Sequence, residues 1–323
     1  MKRVSTPERI RGKKHAGRNT WKQTRGKERA GRNTWNGTRR KEHTETNTRE
    51  ELGREKKSMK IGFIGLGNMA TAMIGGILQK GMAQPQDIIG SAKTESTKAR
   101  VKDQFDIEIA ESNREVAEKA DILFLAVKPV FLEDVISEIR DVVPKETLLV
   151  SIAAGRDMKF LQNAFGRQDC KIIRCMPNTP ALVLEGCTGV CAGDNVTEEE
   201  LDRVLSLLQS FGVASVVPER LMDVVVGVSG SSPAYVFLFI EAMADEAVAA
   251  GMPRKQAYEF AAQSVLGSAK MVLETGKHPG ELKDMVCSPG GTTIQAVKVL
   301  EEKGLRAAVM DAMEACIDKS KNM

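Results

Sequence analysis

The run "DILFLAV" at 121–127 is apolar from its second residue to its last. It is too short for a typical helix and shows no alternation of wet and dry positions. Such a run fits a strand covered on both faces, the environment of a parallel sheet. A parallel sheet needs crossover helices, and the flanking sequence supplies them. "KIGFIG" at 60–65 reads as a strand followed by a helix over 68–81. "DIIGSA" at 87–92 precedes a Lys-rich helix to about 104, and "IEIA" at 107–110 precedes "NREVAEKA". Beyond the central run come a helix from Phe131, the strand "TLLVSIA", a helix from Met158, the strand "KIIRCMP" and then "GVCAG". Strands alternating with helices of about ten residues predict a doubly wound α/β sheet.

After Pro218 the pattern becomes helical throughout. Pro233 suits a first helical turn and Gly251 a C-cap; Pro253 opens the next helix, which ends near Gly276, and a short one follows Pro279. These helices are rich in alanine and other small residues, as in "AAQSVLGSAKMV". Each buries little, so an all-helical half of roughly 100 residues is expected to find further burial in a partner chain. The expected architecture is α/β: a Rossmann-like doubly wound sheet over 59–219, then an all-helical dimerisation domain over 220–323. No window approaches 18 uninterrupted apolar residues, since "YVFLFI" runs into Glu241, Asp245 and Glu246. A soluble protein without a membrane partner is expected.

The first 58 residues have a different composition. They hold 19 Lys+Arg against 7 Asp+Glu, whereas the rest holds 28 against 36. "AGRNTWKQTRGKE" from Ala16 recurs 14 residues later as "AGRNTWNGTRRKE" from Ala30. With almost no aliphatic residues, this segment is expected to be disordered. Trp21 and Trp35 among the cations would suit a nucleic-acid arm. An organelle-targeting reading fits less well, given the seven acids. The reading preferred here is a dispensable extension from an upstream start, with Met59 opening the fold and no nucleic-acid partner. Six scattered cysteines, without Cys-x-x-Cys spacing, fit reduced thiols in the cytoplasm and no metal site.

"GFIGLGNMA" places Gly65-x-Gly67-x-x-Ala70 between the first strand and the first helix. The first glycine makes the turn, the second lets a pyrophosphate approach, and the small third residue packs helix on strand. Asn68 and Met69 would present helix N-terminal amides to the phosphates. An NAD site places an acid at the end of the second strand. "GSAKTESTK" instead offers Ser91 and Lys93, with no acid before Glu95, which suits a 2′-phosphate. NADPH is therefore the expected cofactor, with NADH possible. Later strand ends carry Ala126, Val127, Lys128 and Pro129, then Ala153 and Ala154, then Asn178. Lys128 is placed to reach the ribose or phosphates or else is simply exposed, the small or proline-fixed residues fit a flat nicotinamide lying over them, and Asn113 completes the candidate cofactor set.

"IGFIGLGNMA", "FLAVKP", "SIAAG", "IIRCMPNTPA", "VVGVSGSSPAYVFLFIEAMADEAV" and "HPGELKDMVCSPGGTTI" occur in the order found in pyrroline-5-carboxylate reductases, which the chain resembles from Met59 onward. The resemblance implies reduction of the cyclic imine 1-pyrroline-5-carboxylate to L-proline with NAD(P)H, the last step of proline biosynthesis. It also implies a helical domain interleaved between two subunits, and higher assembly into a decamer. Imine reduction needs hydride at carbon and a proton on nitrogen, with no metal and no covalent nucleophile. "SPGGTT" offers the backbone amides of Gly290 and Gly291, and Thr292 opens a helix whose first amides need partners, an anion site for the substrate carboxylate. The hydroxyls of Ser288 and Thr293 add hydrogen bonds. The resemblance assigns Thr293 to orienting the ring nitrogen and to its protonation, directly or through water. A plain helix–helix turn with a Thr N-cap is the competing reading of this loop. Met285 and Gly276 depart from polar side chains in relatives.

Two other functions compete. A β-hydroxyacid dehydrogenase shares "GFIGLGNM" but needs a catalytic lysine early in the helical half, and there is none between Gly230 and Arg254. A non-catalytic NADP-binding sensor would have no use for an intact "SPGGTT" loop.

Overall fold

The computed structural model describes residues 59–322, so the reading of the basic repeat lies outside the described residues. Six strands run parallel: β1 (Ile61–Ile64), β2 (Ile88–Ser91), β3 (Glu108–Ile109), β4 (Ile122–Leu125), β5 (Leu148–Ser151) and β6 (Lys171–Met176). Their order in the sheet is β3-β2-β1-β4-β5-β6. The expected burial on both faces is found, since every residue of β1, β4 and β5 is buried. Ile61, Phe63, Ile122 and Phe124 face one core, while Ile64, Leu123 and Leu125 face the other. Phe63 and Phe124 stack across the β1–β4 pair, with centroids 4.8 Å apart and rings 8° from parallel. Removing a buried phenyl such as either of these typically costs about 3–5 kcal/mol.

Helices cover both cores. α1 (Asn68–Gln79) and α2 (Glu95–Phe105) contribute to the first, while α3 (Asn113–Lys119), α4 (Leu132–Ile139) and α5 (Met158–Phe165) seal the second. The end of the sheet departs from the expected all-parallel plan. β7 (Gly186–Ala192) runs antiparallel to β6. The connection between them holds only a 3₁₀ turn at Thr179–Val183, too short for a crossover helix. α6 (Glu198–Leu208) then joins the first core and leads to β8 (Gly212–Val216), parallel to β7 at the edge. Both elements went unread in the sequence. "GVASV" is an edge strand with Val213 and Val216 exposed, so it lacks an apolar signature.

The rest is helical, as expected. α7 (Met222–Val225) passes through a π-helical turn, Val226–Gly230, into α8 (Ser232–Ala249). α9 (Arg254–Thr275) packs on α8, and α10 (Pro279–Val286), α11 (Thr292–Glu302) and α12 (Leu305–Lys321) follow. α12 returns to the junction: Ser320 Oγ donates to Asp223 Oδ1 at 2.6 Å, and Ile317 packs on Gly227. Large apolar side chains stay uncovered in the single chain, with Phe237 61%, Leu238 69% and Leu273 84% exposed. The helical stretch Glu219–Ala249 is long and apolar enough to cross a membrane by length and composition alone, an 18-residue window within it having mean hydropathy 1.5.

Candidate active site

Sheet order reverses beside β1, which lies between β2 and β4. Ligands of open α/β sheets bind at such a switch point, beyond the carboxyl ends of the strands. The turn that leaves β1 is fixed there. Gly65 N donates to Ser91 O at 3.0 Å, and Ala126 N donates to Ile64 O at 2.8 Å. Gly65 has φ +94°, and a Cβ on it would lie 2.6 Å from Ala126 O, so only glycine fits. Gly67 plays the other role. It is the N-cap of α1 without a side-chain cap, and a Cβ on it would meet nothing within 4 Å. Bare amides at Asn68 and Met69 behind open space fit a pyrophosphate.

A cleft of about 540 Å³ extends from this turn toward α4, and it gathers Gly65, Ser91, Lys93, Asn113 and Val127 from the expected set. Ser91 is buried; its Oγ donates to Asn113 Oδ1 at 2.7 Å, and Asn113 Nδ2 donates to Glu138 Oε2 at 2.7 Å. These bonds brace the cleft wall. Lys93 Nζ stands 5.7 Å from the centroid of the Phe131 ring. Lys98 is occupied differently, pairing with Glu95 at 2.8 Å and reaching Glu111 at 3.8 Å. The Glu95 hydrogen bond, opposed by partial desolvation, raises its ammonium above the usual lysine range. Among the described residues Lys93 has no carboxylate partner, which leaves its charge available to an anion.

Phe131, Asp134, Val135 and Glu138 also line this cleft, and the sequence reading missed them. Their spacing puts them on one helical face, a signal that was present once Pro129 had been read as the strand's end. Ala126 and Val127 follow β4, and exposed Lys128 precedes the 3₁₀ turn Pro129–Phe131. Ala153 and Ala154 follow β5, at the same edge of the sheet. Asn178 follows β6, but its side chain is engaged with backbone. Its Nδ2 donates to Ser229 O at 3.0 Å, and its Oδ1 accepts from Cys187 N at 2.8 Å. It ties the sheet to the π-helical turn, a distortion common at functional sites.

Ser288, Gly290 and Gly291, between α10 and α11, and Thr292 and Thr293, which open α11, lie apart from the cleft lining. Gly290 has φ +69°, and Gly291 N donates to Ser288 O at 3.0 Å. A Cβ on Gly291 would lie 2.3 Å from Ser288 Oγ, so the serine hydroxyl sits directly over this glycine. Gly291 is the N-cap of α11, and no side chain caps that helix. The capped-turn reading required a threonine there. Instead, the first amides of α11 and the hydroxyls of Thr292 and Thr293 remain uncommitted to capping.

The family described as pyrroline-5-carboxylate reductase dimerisation matches residues 219–323, and the family described as NADP oxidoreductase, coenzyme F420-dependent, matches 60–155. The pyrroline-5-carboxylate reductase of Escherichia coli K12 is 58% identical over 264 residues, 82% of this chain and 98% of that protein. The enzyme of Methanosarcina acetivorans is 45% identical over 83% of this chain and 98% of its own length. Among solved structures, a Coxiella burnetii pyrroline-5-carboxylate reductase superposes with TM-score 0.76 at 34% identity, covering 82% of this chain and 98% of that one. A Plasmodium falciparum pyrroline carboxylate reductase with NADP bound gives 0.74 at 33%, covering 82% and 97%. With so much of each sequence shared, and with the uncapped double-glycine loop in place, the chain belongs to the pyrroline-5-carboxylate reductase family.

Proposed function

We propose that the protein reduces 1-pyrroline-5-carboxylate to L-proline, the last step of proline biosynthesis, and that it prefers NADPH. The observation that carries this reading is the uncapped N-terminus of α11 behind Gly290 and Gly291. Its amides suit the substrate carboxylate, and Ser288 and Thr293 add hydroxyls. Thr293 orients the ring nitrogen and supports its protonation, directly or through water. A reduced nicotinamide bound at the β1 switch point supplies the hydride. Gly65 makes the turn that lets Gly67, Asn68 and Met69 hold the pyrophosphate, Lys93 meets the 2′-phosphate, and Ser91, Asn113 and Val127 shape the surrounding wall. Lys128 reaches toward the ribose or phosphates, and Ala126, Pro129, Ala153, Ala154 and Asn178 support the nicotinamide half.

In this reading residues 59–219 carry the dinucleotide and 220–323 carry substrate contacts and self-association. Exposed apolar side chains of α8 and α9 are covered by a second copy, and dimers assemble further into a decamer. The enzyme works in the cytoplasm, where its six free cysteines stay reduced. The test is to add the cyclic imine to the protein with NADPH and follow both cofactor oxidation and L-proline formation. NADPH binding without turnover would favour the sensor reading instead.

A further inference from the structure

No residue of α10 is buried in the chain. So short a helix is marginal in water, and its end interactions decide its order. One of them comes from His278. This residue occupies the N-cap with φ −60° and ψ 134°, and its Nδ1 accepts the Gly280 amide at 3.1 Å. A neutral ring accepting at Nδ1 carries its proton on Nε2. The imidazole lies close over the turn, because a Cβ on Gly280 would come within 3.0 Å of Nδ1. Leu282 N donates to His278 O at 3.2 Å, and the Lys277–Glu281 ion pair at 2.6 Å braces the same turn. At the other end Cys287 N donates to Asp284 O at 3.1 Å, and the chain passes straight into the loop closed by Gly291 N and Ser288 O.

We propose that His278 is a positioning residue for the 288–293 loop. Its imidazole caps α10, and the capped helix fixes where the loop begins, so that the glycine amides and Thr293 converge on substrate. This rests on the reading of that loop as the substrate site. The test compares His278→Ala and His278→Asn in the full chain by amide hydrogen exchange and steady-state kinetics. In His278→Ala, amides over 279–286 should exchange faster and KM for the imine should rise about fivefold, the scale of one lost cap, with KM for NADPH unchanged. Asparagine, a good N-cap that shares only the acceptor, should restore both. Unaltered exchange or unaltered imine KM in the alanine variant would overturn the proposal, as would failure of asparagine to rescue. Thr293→Ala separates the two claims: if its turnover and imine KM are normal, the loop reading falls, whatever the exchange data say of the cap.

Discussion

Gly65 stands so close to Ala126 that a Cβ on it would lie 2.6 Å from the Ala126 carbonyl oxygen, while a Cβ on nearby Gly67 would meet nothing within 4 Å. One fingerprint glycine answers to the fold and the other to the ligand. Gly65→Ala is expected to lower the melting temperature, because it combines a clash with a left-handed backbone that costs an alanine about 1–2 kcal/mol. Gly67→Ala should melt within about 0.5 kcal/mol of the parent without cofactor, as ordinary surface substitutions do. It should lose NADPH affinity at least tenfold, since the methyl occupies the space proposed for phosphate. Melting curves with and without NADPH check both. If Gly67→Ala kept the full NADPH-induced shift, the phosphate would have to bind elsewhere.

Cofactor choice rests on Lys93, the cleft cation without a carboxylate partner among the described residues. NADPH is expected to have the lower KM, and Lys93→Glu should shift preference toward NADH by repelling the 2′-phosphate. The substitution also removes the cation–π contact with Phe131, worth about 0.5–1 kcal/mol when exposed. The comparison must therefore be the ratio of kcat/KM values for the two cofactors. A parent enzyme with equal or lower KM for NADH would end this reading.

The sheet was legible where burial was complete. "DILFLAV" and "KIGFIG" needed only their apolar continuity, and the period change after Pro218 marked the helical half. β8 was not legible, because an edge strand with exposed valines has no such continuity. The reversal at β7 depends on a short connection, and connection length is known only once both strands are placed. In the site, Gly65, Ser91 and Lys93 line one cleft as their strand ends suggested, and Asn113 joins them from the start of α3. The Ser91–Asn113–Glu138 bonds join side chains far apart in sequence, and no local pattern announces them. Nor does "MPNTPA" announce that the side-chain amide of Asn178 is engaged with Ser229 and Cys187.

Self-association should depend on the uncovered face of α8. Phe237 and Leu238 are too exposed to stabilise the single chain, so Leu238→Glu should leave the sheet intact while blocking association. Burying an unpaired carboxylate in an apolar interface is strongly unfavourable. Light scattering at micromolar concentration is expected to show an oligomer for the parent and a smaller species for the variant. A monomeric parent would remove the basis of the proposed assembly.

Acid should weaken the fold partly through Glu108. Lys119 at 2.8 Å and Lys60 at 2.6 Å both donate to it, and these hydrogen bonds, Lys119's foremost, hold its carboxyl below the usual range. A lowered carboxylate stabilises the folded state above its unfolded value and loses that contribution as pH falls through the folded one. Glu108→Gln should therefore be less stable than the parent at neutral pH, with the gap closing below about pH 4. Chemical denaturation across that range checks the sign. A gap that stays constant would mean the ionisation of Glu108 is not linked to folding.

Thr293 separates chemistry from folding in the loop. It lies in the first turn of α11 but does not cap it, so its hydroxyl is not needed to start that helix. In the proposed site it hydrogen-bonds the substrate nitrogen, which becomes more basic as hydride reaches the neighbouring carbon. An interaction that strengthens along that path lowers the barrier, so its loss should reduce kcat and not only raise KM. Thr293→Ala is expected to lose about ten- to a hundredfold in rate, the equivalent of roughly 1–3 kcal/mol, with NADPH affinity unchanged. Thr293→Ser keeps the hydroxyl and should recover much of the activity. The decisive comparison is kcat against melting temperature. An alanine variant that melts early but turns over normally would make Thr293 a structural residue, and the proton would have to reach the nitrogen by another route.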